Sequence, residues 1–198
     1  MKNASEILNE TDDQAQRSKL NNILNHDVQR IERLITDYSQ ILKDEVALSK
    51  EKMKKINLKL IAKSVVDDFN NIYEAKRGIK IMLNDQNDQE EYFINGIENR
   101  IEQIIANLLD NSISFSEDNK DISVKIYKNE NEKVVLKVVD EGKGFRETST
   151  KKIFDRFYSN RPDNFGEHSG LGLNIVKNLV DLHGATISAS NNIAQKGA

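Results

Sequence analysis

The sequence contains no cysteine. That excludes disulfides, thiolate metal sites and a cysteine nucleophile together. Histidine is nearly as scarce. The three histidines, His26, His168 and His183, lie at scattered positions and do not make a metal site. No apolar run is long enough to span a bilayer, and the first residues, "MKNASEILNETDDQ", lack the apolar stretch of a signal peptide. There is no basic block either: the net charge is -3, with acids and bases interspersed, so nothing argues for nucleic acid as a partner. No internal repeat is found. These absences lead to the expectation of a cytoplasmic chain with no membrane segment of its own. What is present suits that expectation. Charged residues make up 31% and hydrophobic residues 37% of 198, enough for one domain of ordinary size and an appendage.

From Leu20 to about Met53 the chain has neither glycine nor proline. Leu24, Val28, Ile31, Ile35, Tyr38 and Leu42 follow at alternating steps of four and three, a heptad seam on one long helix. Such a stripe needs partner helices, and a dimerisation bundle is expected over packing on the chain's own domain. A different texture begins at Ile56. A short extended start leads into a helix with Ile61, Val65, Phe69 and Ile72 inward, closed by Gly78. "IKIML" (79–83) alternates as a strand. A second amphipathic helix carries Ile97, Ile101, Ile104, Ile105 and Leu108 on its apolar side. "DISVKIY" and "EKVVLKVVDEG" alternate with a period of two about the short loop "KNENE", which reads as a hairpin. A third helix runs from Leu171 to Leu182, and "ATISAS" (185–190) reads as a last strand. The order predicts an α/β two-layer sandwich, with helices on one face of a mixed sheet, preceded by a long coiled-coil-like helix.

Three stretches carry chemistry. In "NLLDN", Asn107 and Asn111 are four residues apart and share a helix face. Their amide oxygens suit a hard cation such as Mg²⁺, or ordinary capping and buried hydrogen bonds. In "VVDEGKGF" a strand runs into Asp140, Gly142 and Gly144. The carboxylate can accept from an exocyclic amine, and the glycines let a flat ring lie close; a plain turn is the alternative. In "HSGLGLNIVK", Gly170 and Gly172 stand at the mouth of a helix, where free N–H groups and the helix dipole favour an anion such as phosphate. A glycine hinge is the alternative there. The segment 157–170 is the longest stretch without periodicity in the domain.

In order and spacing these stretches resemble the ATP-binding domain of sensor histidine kinases, whose fold is shared with type II topoisomerases and with chaperone and mismatch-repair ATPases. The N box is similar to "IEQIIANLLDNSISFS", the G1 box to "DEGKGF", the F box to "IFDRFY" (153–158) and the G2 box to "GLGLNIVK". The resemblance covers about 55–198. It implies ATP and Mg²⁺ as cofactors, with Asn111 as the metal ligand bridging to phosphate. Asn107 is the implied catalytic position at the phosphate end, and Asp140 the reader of the adenine amine. Gly142 and Gly144 would line the adenine pocket. Gly170, Leu171 and Gly172 would present N–H groups to the phosphates, with His168 beside them contacting phosphate or ordering the lid. Residues 158–169 would form that lid, supported by Phe154, Arg156 and Phe157. ATPases of this superfamily carry a glutamate where Asn107 stands. An asparagine takes up no proton at neutral pH, so the resemblance implies a kinase and not a hydrolase. Two departures stand out. Ser114 occupies a place where the family often has Lys or Arg, and the family's closing strand, of the type Phe-x-Val-x-Leu-Pro, is not found before Ala198, so a truncated sheet edge is expected.

"HDVQRIERLI" begins at His26, and one uninterrupted helix runs from it to the start of the ATP domain. No turn and second helix fit between. His26 is therefore expected on the second helix of a dimerisation hairpin, solvated, and not as the phosphoacceptor. His183, closing a helix near its C-terminus, suits a partly protonated ring there. In this respect the chain looks most like the ChvG type of envelope sensor kinase. The implied organisation is 1–54 as partial dimerisation helices without an H box and 55–198 as the catalytic domain. The implied function is transfer of the γ-phosphoryl of Mg·ATP to a histidine outside this chain, and from it to a response-regulator receiver domain. The implied assembly is a homodimer through the helical bundle, in a full-length protein of the cytoplasmic membrane. The rival readings are an anti-sigma-type serine kinase and a nucleotide-binding scaffold without transfer activity.

Overall fold

The computed structural model describes residues 14–48, 51–85, 90–145, 150–155, 158 and 170–191. Helix α1, Gln14–Leu48, is 35 residues long, about 52 Å at the usual rise. It begins before Leu20 and ends before Met53, and Lys54–Asn57 forms strand β1. Ile23, Val28, Ile31 and Ile35 stand between 47% and 62% exposed along it, so the domain that follows does not cover this part of the stripe. The expected first-helix tail and most of the expected loop (1–13) lie outside the described residues.

Strand β1 pairs antiparallel with β3, Phe93–Gly96, matching Ile56 with Ile94. The sequence pattern had not shown β3, and this two-stranded piece is separate from the main sheet. Helix α2, Leu58–Arg77, starts where the Asn57 side chain accepts from Lys59 N at 3.1 Å. It ends at Gly78, whose φ of 62° is the left-handed cap expected there. Leu58, Ile61, Ala62, Val65 and Val66 face the core, with Phe69 packed against them. Ile72 is not inward as its spacing suggested; it is 46% exposed, since the buried stripe drifts past it toward Tyr73.

The main sheet has the order β2-β4-β5, from Ile81–Asp85, Ile122–Lys128 and Val134–Val139. β2 and β4 run parallel, β4 and β5 antiparallel, so the sheet is mixed as expected. Ile122, Val124 and Ile126 turn one face of β4 into the core. On the other face Lys125 stands directly across from Lys137, both exposed. Helix α3, Glu98–Phe115, carries Ile101, Ile104, Ile105, Leu109 and Ile113 inward. Helix α4, Gly172–Leu182, adds Ile175, Val176, Leu179 and Val180. A short 3-10 helix, Thr150–Phe154, precedes it.

The strand expected over 185–190 is not formed. Exposure alternates along it and Ile187 packs on the core, yet no strand pairing is made. Side chains hold the region instead. Thr150 Oγ1 donates to Ala189 O at 2.7 Å. Asn191 accepts from Phe145 N at 2.6 Å and donates to Phe145 O at 2.8 Å. Alternation reports only which side chains face inward; a strand also needs a neighbour's N–H and C=O groups in register.

Candidate functional site

Helix α3 is the spine of the site, and it is fixed at both ends. At its start, Ile97 N donates to His183 Nε2 at 3.1 Å, while His183 Nδ1 lies 2.7 Å from Leu179 O. Nε2 accepts, and Nδ1, within hydrogen-bond reach of a carbonyl, donates. At the end of α3, Arg77 donates to Ile113 O and Ser116 O, each at 2.8 Å, and to Asp118 Oδ1 at 2.7 Å. These bonds satisfy carbonyls that the helix leaves open.

Between these ends, α3 brings the sequence motifs together. Asn107 Nδ2 donates to Gln103 O at 2.9 Å. That turns Asn107 Oδ1 outward, and it lies 3.5 Å from the point where a β-carbon on Gly172 would sit. The N-box amide thus faces the first residue of α4. Its capping residue, Leu171, makes no side-chain cap bond, and the dipole of the helix addresses the same space. Gly170 precedes it at φ 72°, and Leu171, the capping residue, is 1% exposed with its side chain in the core. Asn111 follows one turn after Asn107 and is half-buried. Ser114 Oγ donates to Asp110 O at 2.7 Å.

The last turn of α3 meets the end of β5. Asp140 is 8% exposed, and its Oδ1 accepts from Gly142 N at 2.8 Å. A β-carbon on Gly142 would lie 2.6 Å from Phe115 O and 2.9 Å from Asp140 Oδ1. Glycine is therefore required at 142 by the protein's own packing, where the sequence suggested room for a ring. Gly144, at φ 69°, has the left-handed backbone. Asn107, Asn111 and the 115–142 contact lie along about 12 Å of one helix.

Sequence reasoning missed Asn174. It is 9% exposed and its Nδ2 donates to Phe154 O at 2.9 Å, tying the end of the 3-10 helix to the first turn of α4. A polar residue inside "GLGLNIVK" was the available signal. Phe154 is half-buried. Arg156, Phe157, His168 and residues 159–169 of the expected lid lie outside the described residues, as does the side chain of His26, whose backbone is on α1.

Residues 96–198 match the family described as "Histidine kinase-, DNA gyrase B-, and HSP90-like ATPase". The chain belongs to this family. The resemblance read from the four boxes is thereby borne out. The chain of this histidine kinase-like ATPase is 30% identical to the sensor protein ChvG of Agrobacterium fabrum and 31% identical to that of Rhizobium meliloti, over all of its own length in both cases. It spans about a third of the length of these curated relatives, 34% and 35%. Among solved structures, the catalytic domain of the histidine kinase ThkA superposes with a TM-score of 0.61 at 24% identity, covering 74% of this chain and 92% of that one. ThkA in complex with the response regulator protein TrrA gives a TM-score of 0.67 at 24% identity, over 98% of this chain and 55% of that one. These likenesses show the ATPase fold. Among the described residues, no helix is long and apolar enough to cross a membrane.

Proposed function

We propose that this chain is the catalytic part of a two-component sensor histidine kinase. Residues 55–198 bind Mg·ATP and hold it for attack by a histidine outside the chain, from which the phosphoryl passes to a response-regulator receiver domain. Residues 1–54 contribute to a dimerisation bundle. The observation that carries this reading is the meeting of the Asn107 amide with the start of α4. Asp140 lies beside the C-terminal end of α3, the helix that carries Asn107.

In this reading the purine amine donates to Asp140, which is buried and already ordered by its bond from Gly142 N. The triphosphate extends along α3 toward Gly170, Leu171 and Gly172, whose backbone groups receive it at the helix start. The donor set suits magnesium in offering oxygen: the amide of Asn111 is one turn from Asn107. Mg²⁺ takes oxygen ligands, few from protein and the rest from water and phosphate. When bound, the ion neutralises phosphate charge. Asn107 has no proton-accepting side chain, so it positions and does not activate water. Transfer then waits for an acceptor placed in line. The whole protein would be anchored at the cytoplasmic membrane, as a sensor.

The test is transfer. The chain is mixed with radiolabelled Mg·ATP and a separate helix-hairpin protein carrying an H box. Acid-labile, base-stable label on that protein supports the proposal. Label on serine indicates the anti-sigma-type kinase. Nucleotide binding without any label indicates a scaffold.

A further inference from the structure

We infer that the groove between α2 and α3 is a docking site for an arginine side chain of the acceptor protein. The inference deepens the proposed function and rests on it. Asn99, Gln103, Asn107 and Asn111 follow at steps of four along α3 and form one stripe of amides on a helix whose inner side is apolar. The later pair belongs to the proposed nucleotide site. The earlier pair lines a groove of about 430 Å³ against α2. The groove therefore opens beside the phosphate end of the site, with about 12 Å of helix from Asn99 to Asn107.

The chemistry of the groove selects its occupant. Val65 and Phe69 of α2 give it an apolar floor. Asp68 on the α2 wall and Glu102 on the α3 wall are both exposed and line it from opposite sides. Among the described residues, neither carboxylate makes a hydrogen bond or an ion pair, and no basic side chain lines the groove. Elsewhere in the chain Asp85, Glu90, Asp118, Glu141 and Asp181 each pair with a lysine or an arginine. An apolar floor under an anionic rim matches arginine: its methylene stem covers the floor, and its planar fork donates to carboxylates on both walls. Position agrees with chemistry. On a helix that presents a histidine to phosphate at Asn107, a residue seven places away stands about 10 Å along the axis, at the groove. Charge complementarity of this kind fixes the register of the partner more than it adds affinity.

The experiment measures phosphoryl transfer from Mg·ATP, by the full chain, to a separate helix-hairpin protein at rising concentration. The hairpin carries an H box and an arginine two turns before or after its histidine. In the chain with both Asp68→Asn and Glu102→Gln, KM for the hairpin rises about three- to tenfold, while kcat at saturation and Mg·ATP affinity stay fixed. Changing the hairpin arginine to glutamine gives the same rise, and the two changes together add little more. An unchanged KM, a loss of kcat or of Mg·ATP affinity in its place, or effects of the two changes that multiply independently, overturns the inference. If the unmodified chain labels no hairpin, the proposed function fails and the groove is judged alone. Agmatine, a guanidinium on an aliphatic stem, is then titrated into the chain. A saturable shift of the Val65 methyl NMR signals that is lost in the double variant supports the guanidinium site. No shift, or the same shift in both chains, overturns it.

Discussion

Asn107 Oδ1 stands 3.5 Å from the place where a side chain on Gly172 would begin. That spacing is ordinary van der Waals contact, so Gly172→Ala fits without displacing anything. It also replaces a poor helix former with the best one. The expected outcome is a melting temperature unchanged or raised, together with Mg·ATP affinity lowered by about tenfold or more, because the methyl group stands where phosphate must approach. Gly142→Ala behaves in the opposite way. Its β-carbon would press on Phe115 O, and overpacking of that kind costs about 1–3 kcal/mol of stability. Thermal melts and calorimetry on the two variants separate a ligand-contact glycine from a packing glycine.

In the proposed function, Asp140 holds the purine and Asn111 the metal at the phosphates. In Asp140→Asn the bond from Gly142 N survives, because the amide oxygen replaces Oδ1, while the charged acceptor for the purine amine is lost. Adenosine triphosphate affinity falls by about ten- to a hundredfold, with a smaller change for a purine lacking that amine. Asn111→Ala loses affinity only when Mg²⁺ is present. In excess EDTA it and the unmodified chain bind nucleotide equally weakly, as calorimetry with and without the chelator would show.

His183 ties the C-terminal end of α4 to the first turn of α3 through two hydrogen bonds. His183→Ala leaves Ile97 N and the Leu179 carbonyl each short of one partner. The expected loss is about 1–3 kcal/mol, read as an earlier urea midpoint with an unchanged slope. Unchanged stability would show that these bonds contribute nothing net.

Lys128, at the end of β4, holds its proton more tightly than an ordinary lysine because its ammonium hydrogen-bonds Glu90 at 2.5 Å and feels that carboxylate's charge. A folded-state pKa above the unfolded value gives a contribution that is present below about pH 10.5 and fades as pH rises through the folded value. Lys128→Gln should remove that alkaline decline and lower stability near neutrality by the same small contribution, small because the pair is only partly buried. Urea midpoints measured across the alkaline range check it.

The elements legible in the sequence were those that repeat one period for several turns. α3 shows this: five isoleucines and leucines at helical spacing, and two asparagines held to one face by the same geometry. β4 and β5 were equally plain, since alternation over six or seven residues leaves little choice. β3 is four residues with a glycine at its end, too short for a period to register, and its existence depends on β1 arriving from forty residues earlier. The failure at 185–190 came from the reverse case, a pattern present without a ladder. In the site, the residue types were readable, but their supports were not. Nothing in local spacing announces that His183 reaches Ile97, that Arg77 closes α3, or that Glu51 meets Arg100. Such pairs are separated by tens of residues and are decided only when the chain is packed.

The face of the sheet turned away from the helices carries two ammonium groups side by side, Lys125 and Lys137. An identical molecule stacking there would bring two more against them, and mutual repulsion would turn it away. On α1, by contrast, Ile23, Val28, Ile31 and Ile35 offer exposed apolar ground. The paired charge thus spares the sheet from becoming a seed for aggregates.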